Sequence, residues 1–274
     1  MKTAFCTPSE NCSFLVERYL FIKSESRDEF YSDKYIPEGT TAFVFNFAGE
    51  ASVFDGDKKY SLPKFFQVTP LTRSLKVEMK APFDSMIVIF RTSVFSRLFG
   101  IDLNLVGEKP FQEFKIFDSG NYIEKVGHIE ETELRIREFE FLLNKEFKLY
   151  EYREDQIDII YNEIINCGGT KSLNEILSDN IISQRTFRRR FQKRVGINAK
   201  TLSRIVRVNY IWNMVNSKSE TDFQNIIFNC RYFDQAHFIK DFKNIVGETP
   251  RNFFNRNLKL VEVISGKDFR KSFA

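Results

Sequence analysis

The sequence predicts a multidomain α+β protein: a β-rich N-terminal sandwich, a helical connector, and a C-terminal all-α domain with two helix-turn-helix motifs joined by a linker helix. Three observations carry this. Between about residues 14 and 95, short apolar runs rich in Phe, Val, Ile and Tyr alternate with turn formers. From 120 to 166 the apolar residues recur at helical spacing, and residues 183–254 hold two blocks built to one plan. At 274 residues the chain is long enough for two domains, since one core usually serves about 100–200 residues. The expected boundaries are a β-rich domain at 1–105, a connector at 106–152, a double helix-turn-helix domain at 153–256 and a tail at 257–274.

Taken in order, TTAFVFNFAG, KYSLPKFFQVTP, RSLKVEMKA and DSMIVIF read as strands, with DGDKKY as a hairpin turn. FRTSVFSRLFG reads as one short helix closed by Gly100. Val126, Ile129, Ile136, Phe139 and Leu143 then mark an amphipathic helix over roughly 121–147, which is a candidate for self-association or for simple packing, and a second helix covers about 153–166. Gly168-Gly169 marks a break before the repeated blocks.

Each block has a cap residue, a helix with two Phe four apart, then a glycine and a polar turn. These are Ser183, Phe187, Phe191, Gly196 and Asn198 in the first, and Asp234, Phe238, Phe242, Gly247 and Thr249 in the second. In helical projection Phe187, Phe191 and Val195 turn inward, which leaves Gln184, Arg185, Arg188, Arg189 and Gln192 outward. Arg can pair bidentately with guanine and Gln with adenine, so this stripe has the chemistry of groove readout; the plainer reading is that its Arg residues only hold phosphates. In the second block Gln235, Ala236, Ile239, Lys240 and Lys243 face outward, with less charge, and His237 is expected to cap or to touch phosphate. The intervening KTLSRIVRVNYIWNMV makes a rod of about 24 Å, a spacer between two readers.

The charge distribution agrees with a nucleic-acid partner. A net charge of +4 conceals a balance of +11 over residues 171–274 and −7 over the first 170. A positive field confined to one domain is the electrostatic footprint expected there.

The double motif, the Phe pairs, the G-x-x-x-K run at Gly196–Lys200 and above all DQAHFIKDFK…GETPRNFF resemble the DNA-binding domain of AraC/XylS-type bacterial transcription regulators, over about residues 155–256. The resemblance implies that Arg185, Arg188 and Arg189 sit where the first recognition helix touches bases, and that Ala236, Ile239 and Lys240 hold the equivalent places in the second. Two departures stand out. Asn198-Ala199 replaces the usual Ser-Pro, which is tolerable because Asn caps well. Arg231 replaces a usual Gly in the second turn, at a cost of about 1 kcal/mol if the turn is left-handed. More weakly, Pro37-Glu38-Gly39 through Phe45-Asn46 resembles the cupin-like sensor domains attached to such regulators.

The expected function is therefore a sequence-specific regulator reading two successive major-groove segments of double-stranded DNA. The alternative is a non-specific nucleic-acid-binding or protein-interaction module without a regulatory ligand. An enzyme is not expected: His128 and His237 are the only histidines, too few for a cupin metal box, and no phosphate loop or nucleophile motif stands out. No metal and no cofactor is expected. An effector of unknown chemistry would lie among Phe43, Phe45, Phe47, Phe65, Phe66 and Phe90, with Arg73 or Glu38 as polar anchor, although these aromatics read first as the domain core in a chain with 31 Phe. A second copy of the chain and RNA polymerase remain open as partners. Four scattered cysteines without a Cys-x-x-Cys pair, no signal-peptide core and no membrane-length apolar run lead to the expectation of a cytoplasmic protein with reduced thiols.

Overall fold

The computed structural model describes residues 1–26, 29–105, 110–113, 119–178, 182–216 and 223–265. Among the described residues eight antiparallel strands form one sheet: β1 (Lys2–Cys6), β2 (Val16–Ser24), β3 (Phe30–Tyr35), β4 (Thr41–Asp55), β5 (Lys58–Ser61), β6 (Phe65–Val68), β7 (Leu75–Phe90) and β8 (Phe111–Gln112). The order is β1-β2-β7-β4-β6-β8, with β3 on β7 and β5 on β4. The spine is the β4–β7 pair, in register from Thr41↔Phe90 to Phe54↔Lys76. It is longer than the sequence suggests, because the two runs expected at 73–81 and 84–90 are one strand. Register shifts between Asn46 and Glu50 bend the pair so that its two halves face each other. Gly49 sits at the bend with φ +86°, where a Cβ would lie 2.5 Å from the Pro82 carbonyl oxygen. The hairpin expected at Asp55–Asp57 joins β4 to β5.

Period-two alternation then sorts β4 onto two faces. Phe43 and Phe45 point outward into a core shared with α1 (Thr92–Leu98), α2 (Ser119–Gly127) and α3 (Thr132–Glu146), together with Tyr19, Phe90 and Phe139. Ala42 and Val44 point inward, into a cavity between the two halves of the sheet. The single helix expected over 121–147 is two helices: α2 ends at Gly127, which packs on Phe47, and α3 starts after Glu131. Arg135 fixes α3 to the sheet by donating to both oxygens of Asp84 (2.7 and 2.8 Å) and lying over the Phe47 ring.

The remaining helices are α4 (Gln156–Asn166), α5 (Leu173–Ser178), α6 (Gln184–Val195), α7 (Ala199–Asn216), α8 (Phe223–Asn229), α9 (Gln235–Val246), α10 (Pro250–Phe254) and α11 (Lys259–Ile264). They share one core in which Ile160, Phe191, Leu202, Ile205, Ile211 and Phe242 are almost fully buried. Asp155 and Asp158 form a reciprocal capping box at the start of α4. Gly169 at φ +66° brings its backbone so close to α7 that a Cβ would sit 2.2 Å from the Ser203 carbonyl oxygen. Arg207 on α7 donates twice to the Gly169 carbonyl (2.9 and 2.7 Å) and closes that turn.

The two domains are in direct contact. Ile36 joins the helical core, and the Asn209 side chain of α7 donates to the Pro37 carbonyl (2.8 Å). Helix α11 lies within the stretch expected as a tail, and it packs between the domains: Val261 belongs to the helical core, while Val263 lies against Leu20 and Ile22 of β2. Ser265 just beyond it accepts the Ile36 backbone N–H (2.8 Å).

Among the described residues Arg231 is the one non-glycine with positive φ, at +58°. It lies in the turn between α8 and α9, where its guanidinium donates to both oxygens of Glu175 on α5 (2.9 and 2.8 Å). That bond, with the Ser172 cap, draws the exposed Glu175 carboxyl down to about 2 from its ordinary 4.5. A depressed carboxylate contributes stability above its unfolded value and loses it as pH falls, here between about 4.5 and 2. Arg231→Gly should therefore relieve about 1 kcal/mol of left-handed strain and flatten the acid limb of a stability–pH curve in that window, as read by denaturant titration.

Phe191 is 1% exposed and stacks obliquely on Phe187 with centroids 5.2 Å apart. Phe191→Ala should cost about 3–5 kcal/mol in equilibrium unfolding; an unchanged unfolding midpoint would remove Phe191 from the core.

Candidate nucleic-acid interface

Helices α6 and α9 are each twelve residues long and begin and end alike. Ser183 Oγ accepts the Thr186 N–H at the start of α6, and Asp234 Oδ1 accepts the His237 N–H at the start of α9. Each closes on a left-handed glycine, Gly196 at φ +79° and Gly247 at φ +81°. Each turns a Phe pair inward, Phe187 with Phe191 and Phe238 with Phe242. The expected caps and buried pairs are therefore in place.

What these pairs leave outside is the candidate interface. On α6, Gln184, Arg185, Arg188 and Arg189 are exposed, whereas Gln192 is half-buried. Arg190 and Lys193 are exposed as well and widen the basic face beyond the residues singled out from the sequence. Among the described residues no carboxylate pairs with Arg185, Arg188, Arg189 or Arg190, so their charge stays available to an outside anion. On α9, Gln235, Ala236, His237, Ile239, Lys240 and Lys243 are all exposed. Ile239 at 42% is a large apolar side chain in water, suited to a thymine methyl or to sugar carbons. The His237 ring stands 3.8 Å from Asp241, and its backbone N–H serves the cap.

One cation of the Arg-rich run turns the other way. Arg194 donates to the Ser93 carbonyl (2.8 Å), to Asp155 (2.9 Å) and to the fully buried Asp158 (2.6 Å). Burial alone would raise the Asp155 carboxyl, but Arg194, the Asp158 backbone N–H and Arg97 together outweigh this and hold it low. The sequence signal is Arg194's position three residues after Phe191 and next to Val195, at the edge of the buried stripe.

Between α6 and α9, α7 runs 18 residues, about 27 Å. Its Arg204 donates twice to Asp241 of α9 (2.9 and 2.6 Å), and Tyr232 OH approaches the other oxygen of that carboxylate at 3.4 Å. Helix α9 is thereby fixed to α7 through a carboxylate that is 3% exposed. The Asn198 side chain caps α7 as expected, accepting the Thr201 N–H at 2.8 Å.

In the β domain the inner cavity encloses roughly 140 Å³ and is lined mostly by apolar side chains, among them Leu20, Ile22, Val44, Phe66 and Ile87. Of the aromatics expected around an effector, Phe66 lines it; Phe43, Phe45, Phe65 and Phe90 belong to the core on the opposite face of the sheet, and Phe47 packs against that core. Glu38 lines the cavity and pairs with Arg18, while Arg73 is exposed beside Asp55. Ile264 and Ser265 complete the wall. Among the described residues no cluster of three or more His, Cys, Asp or Glu could hold a metal ion, and no helix is long and apolar enough to cross a membrane.

Residues 181–256 match the family described as a helix-turn-helix domain, and residues 4–109 match a domain of unknown function (DUF6597). No curated protein matches the sequence. Solved structures similar to the chain include ToxT from Vibrio cholerae, at 13% identity over 83% of this chain and 98% of that one, with a TM-score of 0.45. ToxT from Vibrio cholerae O395 bound to (E)-4-(8-methylnaphthalen-1-yl)but-3-enoic acid aligns at 13% identity over 92% and 98%, with a TM-score of 0.45. The AraC-like transcriptional activator CuxR aligns at 14% identity over 80% and 87%, with a TM-score of 0.31. By these matches the C-terminal region is a helix-turn-helix domain, and it stands behind a β-rich N-terminal domain of the family DUF6597.

Proposed function

We propose that the protein is a sequence-specific DNA-binding transcription regulator whose α6 and α9 enter two successive major-groove segments. The observation that carries this reading is the pair of identically capped helices, each with its Phe pair buried and its cationic or amide side chains in water. Phosphate contacts supply affinity without sequence choice, and base-edge contacts supply the choice. Arg185, Arg188 and Arg189, with Gln184 and Gln192, are the base-edge candidates on α6. On α9 they are Gln235, Ala236, Ile239 and Lys240, with His237 and Lys243 nearer the backbone. A non-specific nucleic-acid module would use the same charges but show no preferred site.

The apolar cavity in the β domain supports a small-molecule effector. Its volume is close to that of engineered protein cavities of about 150 Å³ that stay dry and accept benzene. The Arg18–Glu38 pair gives the wall a charged end beside Pro37 and Gly39, the segment that touches α7. Occupancy there is thus placed to be felt by the linker between the readers.

Selection of bound sequences from a random DNA pool by the full-length protein tests the function: a defined site of about two helical turns is the expected outcome, and an unselected pool sinks it. At the selected site Arg188→Ala should cost about 1–3 kcal/mol and relax base choice at one position. A uniform loss on all sequences would reassign Arg188 to the phosphates.

For the cavity, benzene at ten times its Kd should stabilise the protein by about 1.4 kcal/mol, raising the thermal midpoint by a few degrees. Val44→Phe, which fills the space, should abolish that rise; an equal rise in both proteins would mean that benzene binds elsewhere.

A further inference from the structure

The β domain holds the two readers at the same place on each, the C-terminal end of the recognition helix. On α6, Arg194 reaches the Ser93 carbonyl of α1 at 2.8 Å. Gly196 closes so tightly on the loop after α1 that a Cβ would lie 3.1 Å from the Leu103 carbonyl oxygen. On α9, the last carbonyls find their donors in the β domain rather than in their own. Ser74 gives its backbone N–H to the Ile245 carbonyl (2.7 Å) and its hydroxyl to the Val246 carbonyl (2.8 Å). Lys34 of β3 reaches the Val246 carbonyl (3.3 Å) and Glu248 (2.9 Å). Arg256 then donates to both oxygens of Asp33 (3.0 Å each) and to Glu248 (3.3 Å), which completes a four-charge chain between β3 and the end of the second reader.

A helix leaves its last carbonyls without internal partners, so whatever supplies the donors fixes that end of the helix in space. Here the donors for α9 sit on β3 and on the loop before β7, and the acceptors for Arg194 of α6 lie in part on α1. Both anchor points belong to one sheet and the helix packed on it. Neither anchor touches the outward faces of α6 and α9.

We propose that the β domain is a gauge that sets the separation and tilt of the two recognition helices, with Asp33, Lys34 and Ser74 as positioning residues for DNA spacing although none of them contacts DNA. The proposal rests on the reading of α6 and α9 as DNA readers and adds what controls their mutual geometry. Change in the β domain is then transmitted to the second reader by the Asp33–Arg256–Glu248–Lys34 chain of ion pairs and the Ser74 bonds, and α7 alone does not fix the spacing.

The test uses the full-length protein, its selected DNA site, and the same site with one base pair inserted between the two segments, which rotates one against the other by about 35°. Wild type, Asp33→Arg, Arg256→Asp and the exchanged pair Asp33→Arg/Arg256→Asp are compared by fluorescence anisotropy. The wild type should lose about tenfold or more in affinity on insertion. Each single reversal should shrink that loss to about threefold or less, and the exchanged pair should restore it, which simple destabilisation would not do. Should a single reversal fail to unfold cooperatively, Ser74→Ala, which removes one hydroxyl bond, carries the test with an insertion penalty below that of wild type. An equal penalty in all folded variants overturns the proposal while leaving the DNA-binding reading intact; absence of any sequence preference in the wild type overturns both.

Discussion

Asp158 is the charge around which the helices assemble. It is fully buried, and Arg194 (2.6 Å), the Tyr152 hydroxyl (2.6 Å) and the Asp155 backbone N–H (3.1 Å) all donate to it. Each of those partners comes from a different piece of structure: the end of the first reader, the connector and the cap of α4. Removing one partner from such a site costs about 3–5 kcal/mol, because the remaining charge is left without a solvent. The registration of α4, α6 and α1 is thus one electrostatic fact, and the position of the first reader against the β domain follows from it. The second reader depends on a similar but shallower arrangement, Arg204 with Asp241.

Much of the C-terminal domain was legible from the sequence because its determinants are local. Ser183 and Asp234, the Phe pairs at four-residue spacing, and Gly196 and Gly247 each act within one or two turns, and all do what their positions imply. In the β domain alternation told which residues share a face but not which face the helices cover, since that is decided by α1–α3 far along the chain. This is why Phe43, Phe45 and Phe90 line a core rather than the cavity. The break between α2 and α3 was hidden because apolar spacing continues across Gly127, where close packing on Phe47 decides. Arg194 was missed because composition cannot say which of a run of like residues turns inward; only its helical position against Phe191 and Val195 carries that signal.

Arg231 gives the inverse case, a departure visible in sequence whose resolution was not. The expected left-handed turn is present at φ +58°, and its geometry is held by a fork of hydrogen bonds to Glu175 on the neighbouring α5. A glycine would adopt the turn freely but could not tie it to α5. The chain trades backbone ease at this position for a tether between the first and second motifs.

Helix α11 has a consequence for how the chain is made. Strands β2 and β3 leave the ribosome well over 200 residues before Ser265, yet Val263, Ile264 and Ser265 supply part of the wall and a backbone hydrogen bond of the domain those strands build. The sheet can form early, but its interior stays open on one side through the synthesis of the entire helical domain. Apolar surface at Leu20 and Ile22 is therefore exposed until the C-terminal segment returns to it, and the β domain reaches its finished state only when the helical domain has been delivered and docked. A protein arranged in this way cannot complete its β domain without its helical domain, so any C-terminal truncation reaching α11 acts on the first domain as well as on the second.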